Sequence, residues 1–191
     1  MKKEELFRIF SHMPTLETEH LLLRPMRVCD ADDMYDYAKR PDVTRYLLWR
    51  PHQSRDYTKR YLEYLAGRYR LGLHYEWALI CKADRRMIGT CGFASVDCPH
   101  NSAEIGYVLH PDYHGKGLML EAARRVIAFG FEEMKLHRIE ARYMVGNEAS
   151  RLLMERLGMR PEGVRRGAML VKGAYRDIGT YAILESDPVL E

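Results

Sequence analysis

The chain has 191 residues, 47% hydrophobic and 30% charged, enough for one folded unit over 1–191 with a sizeable core, residues 1–14 forming an N-terminal extension. A formal net charge of +3, its basic residues scattered among acids, is too small to argue for direct nucleic-acid binding, and no apolar run approaches the roughly 18 residues of a membrane span. Met1-Lys2-Lys3-Glu4-Glu5 leads into no apolar signal region, and the four cysteines Cys29, Cys81, Cys91 and Cys98 show no C-x-x-C or zinc spacing, so a cytoplasmic chain with free thiols is expected.

In chain order, residues 1–14 set Leu6, Phe7, Ile9 and Phe10 among charges. They predict a short amphipathic helix for packing or for contact with a second copy in a homodimer. His20 to Met26 predicts a first short strand. Asp30 is a good N-cap for a helix over Ala31 to Lys39, which Pro41 closes. Ser54 or Asp56 opens a Tyr-rich helix reaching Tyr69. Tyr75 to Lys82 and Met87 to Val96 predict two strands around the polar turn Ala83-Asp84-Arg85-Arg86. A strand follows from Glu104 to Leu109, stopped by Pro111, and then a helix to about Met134. In that helix Leu118, Ala122, Ala123, Val126, Ile127, Phe129 and Phe131 keep mostly to one face. His137 to Val145 is another strand, Asn147 opens a short helix, and Val164 to Val171 and Arg176 to Leu184 flank Lys172-Gly173-Ala174. The order β-α-α-β-β-β-α-β-α-β-β predicts the α/β class, a mixed sheet with helices on its faces.

The densest signal runs from Glu104 to Ala122, where a strand feeds a helix through His114-Gly115-Lys116-Gly117. Closely spaced glycines let backbone approach a ligand, the free N–H groups of the helix start point at it, and Lys116 adds charge. A phosphate-bearing ligand suits such a turn, but a tight β-to-α connection demands glycine for steric reasons alone. His110 and Gly117 stand where a P-loop needs Gly and Ser or Thr, and Leu120 stands where a dinucleotide fingerprint needs its third glycine. His110 and His114 are four apart, yet Pro111 and Gly115 make that interval non-helical, so no metal site is expected.

After the next strand come Asn147-Glu148-Ala149-Ser150 and a short helix ending Leu157-Gly158-Met159. With the Gly-Lys-Gly turn, these resemble the GNAT superfamily of acyl-CoA-dependent N-acetyltransferases. The run Glu17-Thr18-Glu19-His20-Leu21-Leu22-Leu23-Arg24-Pro25 and the later Tyr175-Arg176-Asp177 fit its RimJ/RimL branch, the ribosomal-protein N-terminal acetyltransferases. The resemblance covers nearly everything after Thr15. It implies a GNAT-like fold with a splayed central strand pair, acetyl-CoA as cosubstrate without a metal, and a primary amine as acceptor. That amine would be a protein or peptide N-terminus, such as that of a ribosomal protein. Two alternatives stay open: a small-molecule amine, polyamine or drug-like, as acceptor, and a CoA-binding module without catalysis. Two departures stand out: His114 where Gln, Arg or Trp is usual, and Met119 in place of a small residue.

Carried over by motif, the resemblance assigns the pyrophosphate to the turn His114, Gly115, Lys116, Gly117 and Leu118. It assigns the pantetheine to Val108, Leu109 and His110, where a bulge near Val108-Leu109 would free backbone donors. Asn147 reads as a helix cap and, by resemblance, as a second pantetheine contact, with Ser150 near the sulfur as proton donor. Counting by two, Glu104 shares a strand face with Gly106, Val108 and His110. It is the leading candidate for a base acting through water, against a plain salt-bridging role. The first two helices and the last hairpin should frame the amine, with Tyr46, Trp49 and Tyr175 as aromatic candidates. Trp77, inside a strand, reads better as core.

Overall fold

A computed structural model describes residues 2–187. Met1 of the expected N-terminal helix and residues 188–191 of the expected single unit lie outside the described residues. Helices α1 (Lys3–Phe10), α2 (Ala31–Ala38), α3 (Pro41–Thr44), α4 (Arg55–Arg70), α5 (Leu118–Glu132) and α6 (Glu148–Arg156) surround strands β1 (Leu16–Glu17), β2 (Leu21–Arg24), β3 (Tyr75–Cys81), β4 (Met87–Asp97), β5 (Ser102–Leu109), β6 (Arg138–Met144), β7 (Arg160–Val171) and β8 (Ala174–Leu184). The eight strands form one mixed sheet in the order β1-β2-β3-β4-β5-β6-β8-β7.

Every predicted element is present, and the differences are local. Pro41 does more than stop α2. Its fixed φ suits a first helical position, and it opens the added short helix α3. Asp30 precedes α2 but does not cap it. Its carboxylate is taken by Arg24, which donates through both terminal nitrogens at 2.8 and 2.7 Å, and by the Arg27 N–H at 2.7 Å. Ser54 does cap α4, accepting from the Tyr57 N–H at 3.1 Å. All four cysteines are free, three of them buried. No helix among the described residues is long and apolar enough to cross a membrane.

The period of two in the strands divides the core between the two sheet faces. On one face Trp77, Cys91, Phe93 and Ile105 pack with Ala122, Ala123, Val126 and Phe129 of α5. Helix α1 joins them through Phe10, whose ring stands edge-on to Tyr75 and Trp77 at 4.8 and 5.9 Å. On the other face Ala78, Ile80 and Met87 pack with Met34 and Tyr37 of α2 and Leu62, Leu65 and Tyr69 of α4. Adjacent residues of β5 follow the same division: Tyr107 packs on the α5 side and Val108 on the α2–α4 side.

The sheet is antiparallel except between β5 and β6, which pair in parallel through Ser102↔Arg138, Ala103↔Ile139 and Glu104↔Glu140. Beyond Glu104 the two strands part, so the expected splayed pair is present. The expected bulge is elsewhere. It lies in β4 between Phe93 and Ser95, opposite Ile105 and Glu104, while β5 pairs regularly with β4 from Ile105 to Leu109. Backbone groups near Leu109 are therefore freed by the departure of β6, not by an extra residue in β5.

Candidate active site

The turn between β5 and α5 is built as a cradle. Gly115 has φ +74 and Gly117 φ +77, and a Cβ at either would meet nothing within 4 Å. Left-handed backbone of this kind is adopted readily by glycine alone. The first carbonyl of α5 to be used is that of Gly117, which accepts from the Glu121 N–H at 3.0 Å. Helix geometry thus leaves the N–H groups of Leu118, Met119 and Leu120 over, at the positive end of the helix dipole. Lys116 rests its ammonium on the Tyr113 ring, 4.9 Å from the centroid. Met119 turns into the core with Leu118, so its bulk takes no room from the cradle.

His110 donates its N–H to the Ile88 carbonyl at 2.7 Å. Backbone direction alternates along a strand, so Val108 also faces β4 while Tyr107 and Leu109 face the opening. His114 follows this lead: its exposed ring donates through Nε2 to the Leu109 carbonyl at 3.1 Å. The His110 side chain is buried away from the opening. Its Nδ1 accepts from the Asp112 N–H at 3.2 Å, and its Nε2 lies 3.3 Å from Asp36 Oδ2. Of the three strand residues singled out, Leu109 offers backbone to the opening, Val108 offers a side chain to the wall below it, and His110 serves the fold.

A cavity of about 390 Å³ lies between the α2–α4 face of the sheet and the loop before α4, and continues into the opening. Tyr46, Trp49, Glu104, Val108, Asn147 and Ser150 all line it. Asn147 caps α6, accepting from the Ser150 N–H at 3.3 Å. The Ser150 hydroxyl meets the Tyr107 hydroxyl at 2.9 Å, and burial pushes the Tyr107 phenol up to about 12. No aromatic hydroxyl comes from α6 to this point; one comes from β5 instead. Tyr175 is 74% exposed in the β7–β8 hairpin and away from the cavity wall. The hairpin nevertheless closes one side through Met169 and Ile178, and Lys172 ties it to α3 by donating to the Thr44 carbonyl at 2.5 Å. Trp77 is fully buried on the opposite face and donates to the Pro14 carbonyl at 2.7 Å.

Glu104 is held on both carboxylate oxygens by Arg142 of β6, through Nε at 2.8 Å and through the second terminal nitrogen. The guanidinium is raised above its ordinary value by that bond. Glu76 is the wall residue that pattern reading passes over. Its side chain, 27% exposed, opens onto the cavity, and burial pushes its carboxyl up to about 7. Among the described residues lining the cavity, Glu76 and Glu104 are the carboxylates, and no group of three metal-binding side chains is found.

Residues 20–160 match the family model described as an acetyltransferase (GNAT) domain. Over 175 residues the chain is 33% identical to an uncharacterized N-acetyltransferase, p20, of Bacillus licheniformis, spanning 92% of this chain and 98% of that one. Over 182 residues it is 29% identical to the ribosomal protein uS5-alanine N-acetyltransferase of Escherichia coli (strain K12), spanning 90% and 92%. The crystal structure of an acetyltransferase (GNAT family) from Bacillus anthracis superposes with a TM-score of 0.82 at 29% identity, covering 91% of this chain and 100% of that one.

Proposed function

Because the chain belongs to the GNAT acetyltransferase family and is an acetyl-CoA-dependent N-acetyltransferase, we propose that its acceptor is the α-amine of a protein or peptide N-terminus, such as that of a ribosomal protein, in the cytoplasm. The observation that carries this reading is the charge of the cavity. Glu104 is neutralised by Arg142, which leaves Glu76 as the carboxylate without a cationic partner: enough negative charge for one amine. A polyamine, with several cationic nitrogens, calls for several free carboxylates. The volume sits near the lower end of the roughly 300–1,000 Å³ usual for ligand sites, room for the end of a chain between the rings of Tyr46 and Trp49. The similarity to a uS5-alanine N-acetyltransferase supports the same acceptor.

The residues present fit acetyl-CoA. Open space lies where side chains would stand on Gly115 and Gly117, and the turn from Gly115 to Leu118, with the N–H groups left over at the start of α5, suits a pyrophosphate, with His114 and Lys116 at the rim. Tyr107 and Leu109 present strand backbone to the pantetheine, beside Asn147 and Ser150. Bound there, acetyl-CoA supplies an activated thioester carbonyl. The Tyr107 hydroxyl, kept protonated and bridged to Ser150, is the proton donor for the departing sulfur. Glu104 orients Arg142 and the cavity wall. Accordingly, Glu104→Gln should lower turnover by less than about tenfold, evenly across pH, since both of its oxygens are already committed. A loss confined to the acid side of the pH–rate profile would instead make Glu104 the base.

Acetyl-CoA turnover against peptides differing in their first residues tests the acceptor, with N-terminally blocked, lysine-containing peptides and free polyamines as controls. Turnover should require a free N-terminus. Preference for polyamines would overturn the reading, and CoA binding without turnover on any amine would make the chain a binding module.

A further inference from the structure

We propose that Glu76 takes the proton from the acceptor amine, its carboxylate delivered to the opening along a trough of glycines across the sheet. This rests on the acceptor reading above and adds the group that makes the amine reactive. Glu76 of β3 pairs with Gly92 of β4, which pairs with Gly106 of β5. A Cβ on Gly92 would come 2.3 Å from Glu76 Cα and 3.0 Å from Glu76 Cβ, so no other residue fits beneath this side chain. A Cβ on Gly106 would stand 3.9 Å from Glu76 Oε1. The carboxylate therefore lies out over β5, on the same strand face as Glu104 and Val108. That is the edge from which β6 has departed.

The surroundings leave this carboxylate reactive. Among the described residues neither oxygen makes a hydrogen bond. The nearest group able to carry positive charge is His74, with Nε2 at 3.7 Å from Oε2. Burial pushes that imidazole down to about 4, so it is neutral in the working range, and its buried Nε2 has no closer partner. Facing Glu76 are Tyr37 from α2 and Tyr61 and Tyr69 from α4, each raised by burial and so uncharged near neutrality. Across the cavity Glu104 and Arg142 cancel one another. With its own carboxyl pushed up to about 7, Glu76 lies within about a unit of an α-amine at ~7.7–8.0 and far below a lysine at ~10.4. This is the match expected of a general base. The ammonium N–H bond breaks and its proton passes to a Glu76 oxygen. The nitrogen lone pair forms the N–C bond to the acetyl carbonyl, and the C–S bond breaks with its electron pair on sulfur, which is protonated from Tyr107. The amide nitrogen sheds its remaining extra proton, which restores the Tyr107 hydroxyl, and Glu76 returns its own to solvent.

The test compares full-length wild type with Glu76→Gln on a peptide with a free N-terminus. Near pH 7 kcat should fall by about 10²-fold or more, with the KM for acetyl-CoA within about threefold, and the deficit should shrink as pH rises past the amine's own pKa. Stability supplies a second readout. A carboxyl raised from 4.5 to about 7 on folding makes the folded chain bind more protons than the unfolded chain in that window, so stability is lost as pH rises through it. Glutamine removes this loss, so Tm should rise at about pH 8 and the gain should vanish below about pH 4.5. If Glu76→Gln does not fold, Glu76→Asp carries the same test, because it keeps the charge and shortens the reach. An active wild type with an equally active variant and an unmoved acid limb would overturn the proposal alone. A wild type inactive on every amine would overturn the acceptor reading and this proposal with it.

Discussion

Replacing Gly117 with valine should weaken CoA binding by about tenfold or more while leaving the fold intact. Gly117 stands at φ +77, with nothing in the chain within 4 Å of an added Cβ. Two effects then act together. The left-handed backbone costs an L-residue about 1–2 kcal/mol, relieved only by turning the neighbouring N–H groups out of line. The valine methyls also project into the space that the ligand's phosphates need, not into the protein, so the loss falls on binding. Gly117→Asn separates the two effects. Asparagine tolerates the left-handed region, so it should bind CoA more weakly than wild type and more tightly than valine. Calorimetric titration with CoA, alongside a thermal melt, reads both. Unchanged affinity in a folded Gly117→Val chain would move the anion site away from this turn.

Trp77→Ala should be the most destabilising single change in the core, at about 3–5 kcal/mol. The indole is fully buried and meets Phe10, Phe129 and Phe93 edge-on at 5.9, 5.4 and 6.4 Å. Its N–H is also the donor that ties down the Pro14 carbonyl. Alanine would leave a cavity, an unpaired carbonyl and a loosened α1 at once. Urea unfolding measures the loss, and Trp77→Phe should recover much of the packing but not the hydrogen bond. A cost below about 1 kcal/mol would mean that the cluster repacks freely.

These residues also mark what could be read without coordinates. Helix α5 was legible because its apolar face repeats every three to four residues, and the caps Ser54 and Asn147 because capping is a local event. Asp30 misled for the opposite reason. It has the right chemistry and position for a cap, but Arg24 and Arg27, close by in sequence, hold its oxygens. Glu76 gave no signal, since its reach depends on Gly92 and Gly106 lying beneath it, which is a matter of strand register. The same holds for Glu104 and Arg142, which meet only because the crossover through α5 sets β5 beside β6. Ser150 is the proton donor that the motif implies, whereas the Tyr107 hydroxyl beside it comes from a strand that no local spacing ties to that helix. Local spacing marked the glycine turn; the proposed proton chemistry depends on pairings between distant segments.

The short parallel seam has a consequence for cohesion. Three residue pairs between β5 and β6 join two antiparallel leaves, β1 to β5 on one side and β6, β8 and β7 on the other. The seam closes the loop from Ser102 to Arg138, of much the same length as the loop that joins β6 to β8 and shorter than the one that joins β2 to β3 within the leaves. Loop length therefore sets no order of formation, and what distinguishes the seam is how few pairs hold it. Apart from the two-pair attachment of the edge strand β1, it is the line of fewest strand pairs in the sheet, a place for a sub-global opening that unfolds neither leaf. A molecule seated in the splay touches both leaves and binds only when they are joined. Acetyl-CoA is then a rivet as well as a donor: at ~100 times its Kd it adds about 2.7 kcal/mol to the cohesion of the chain that uses it.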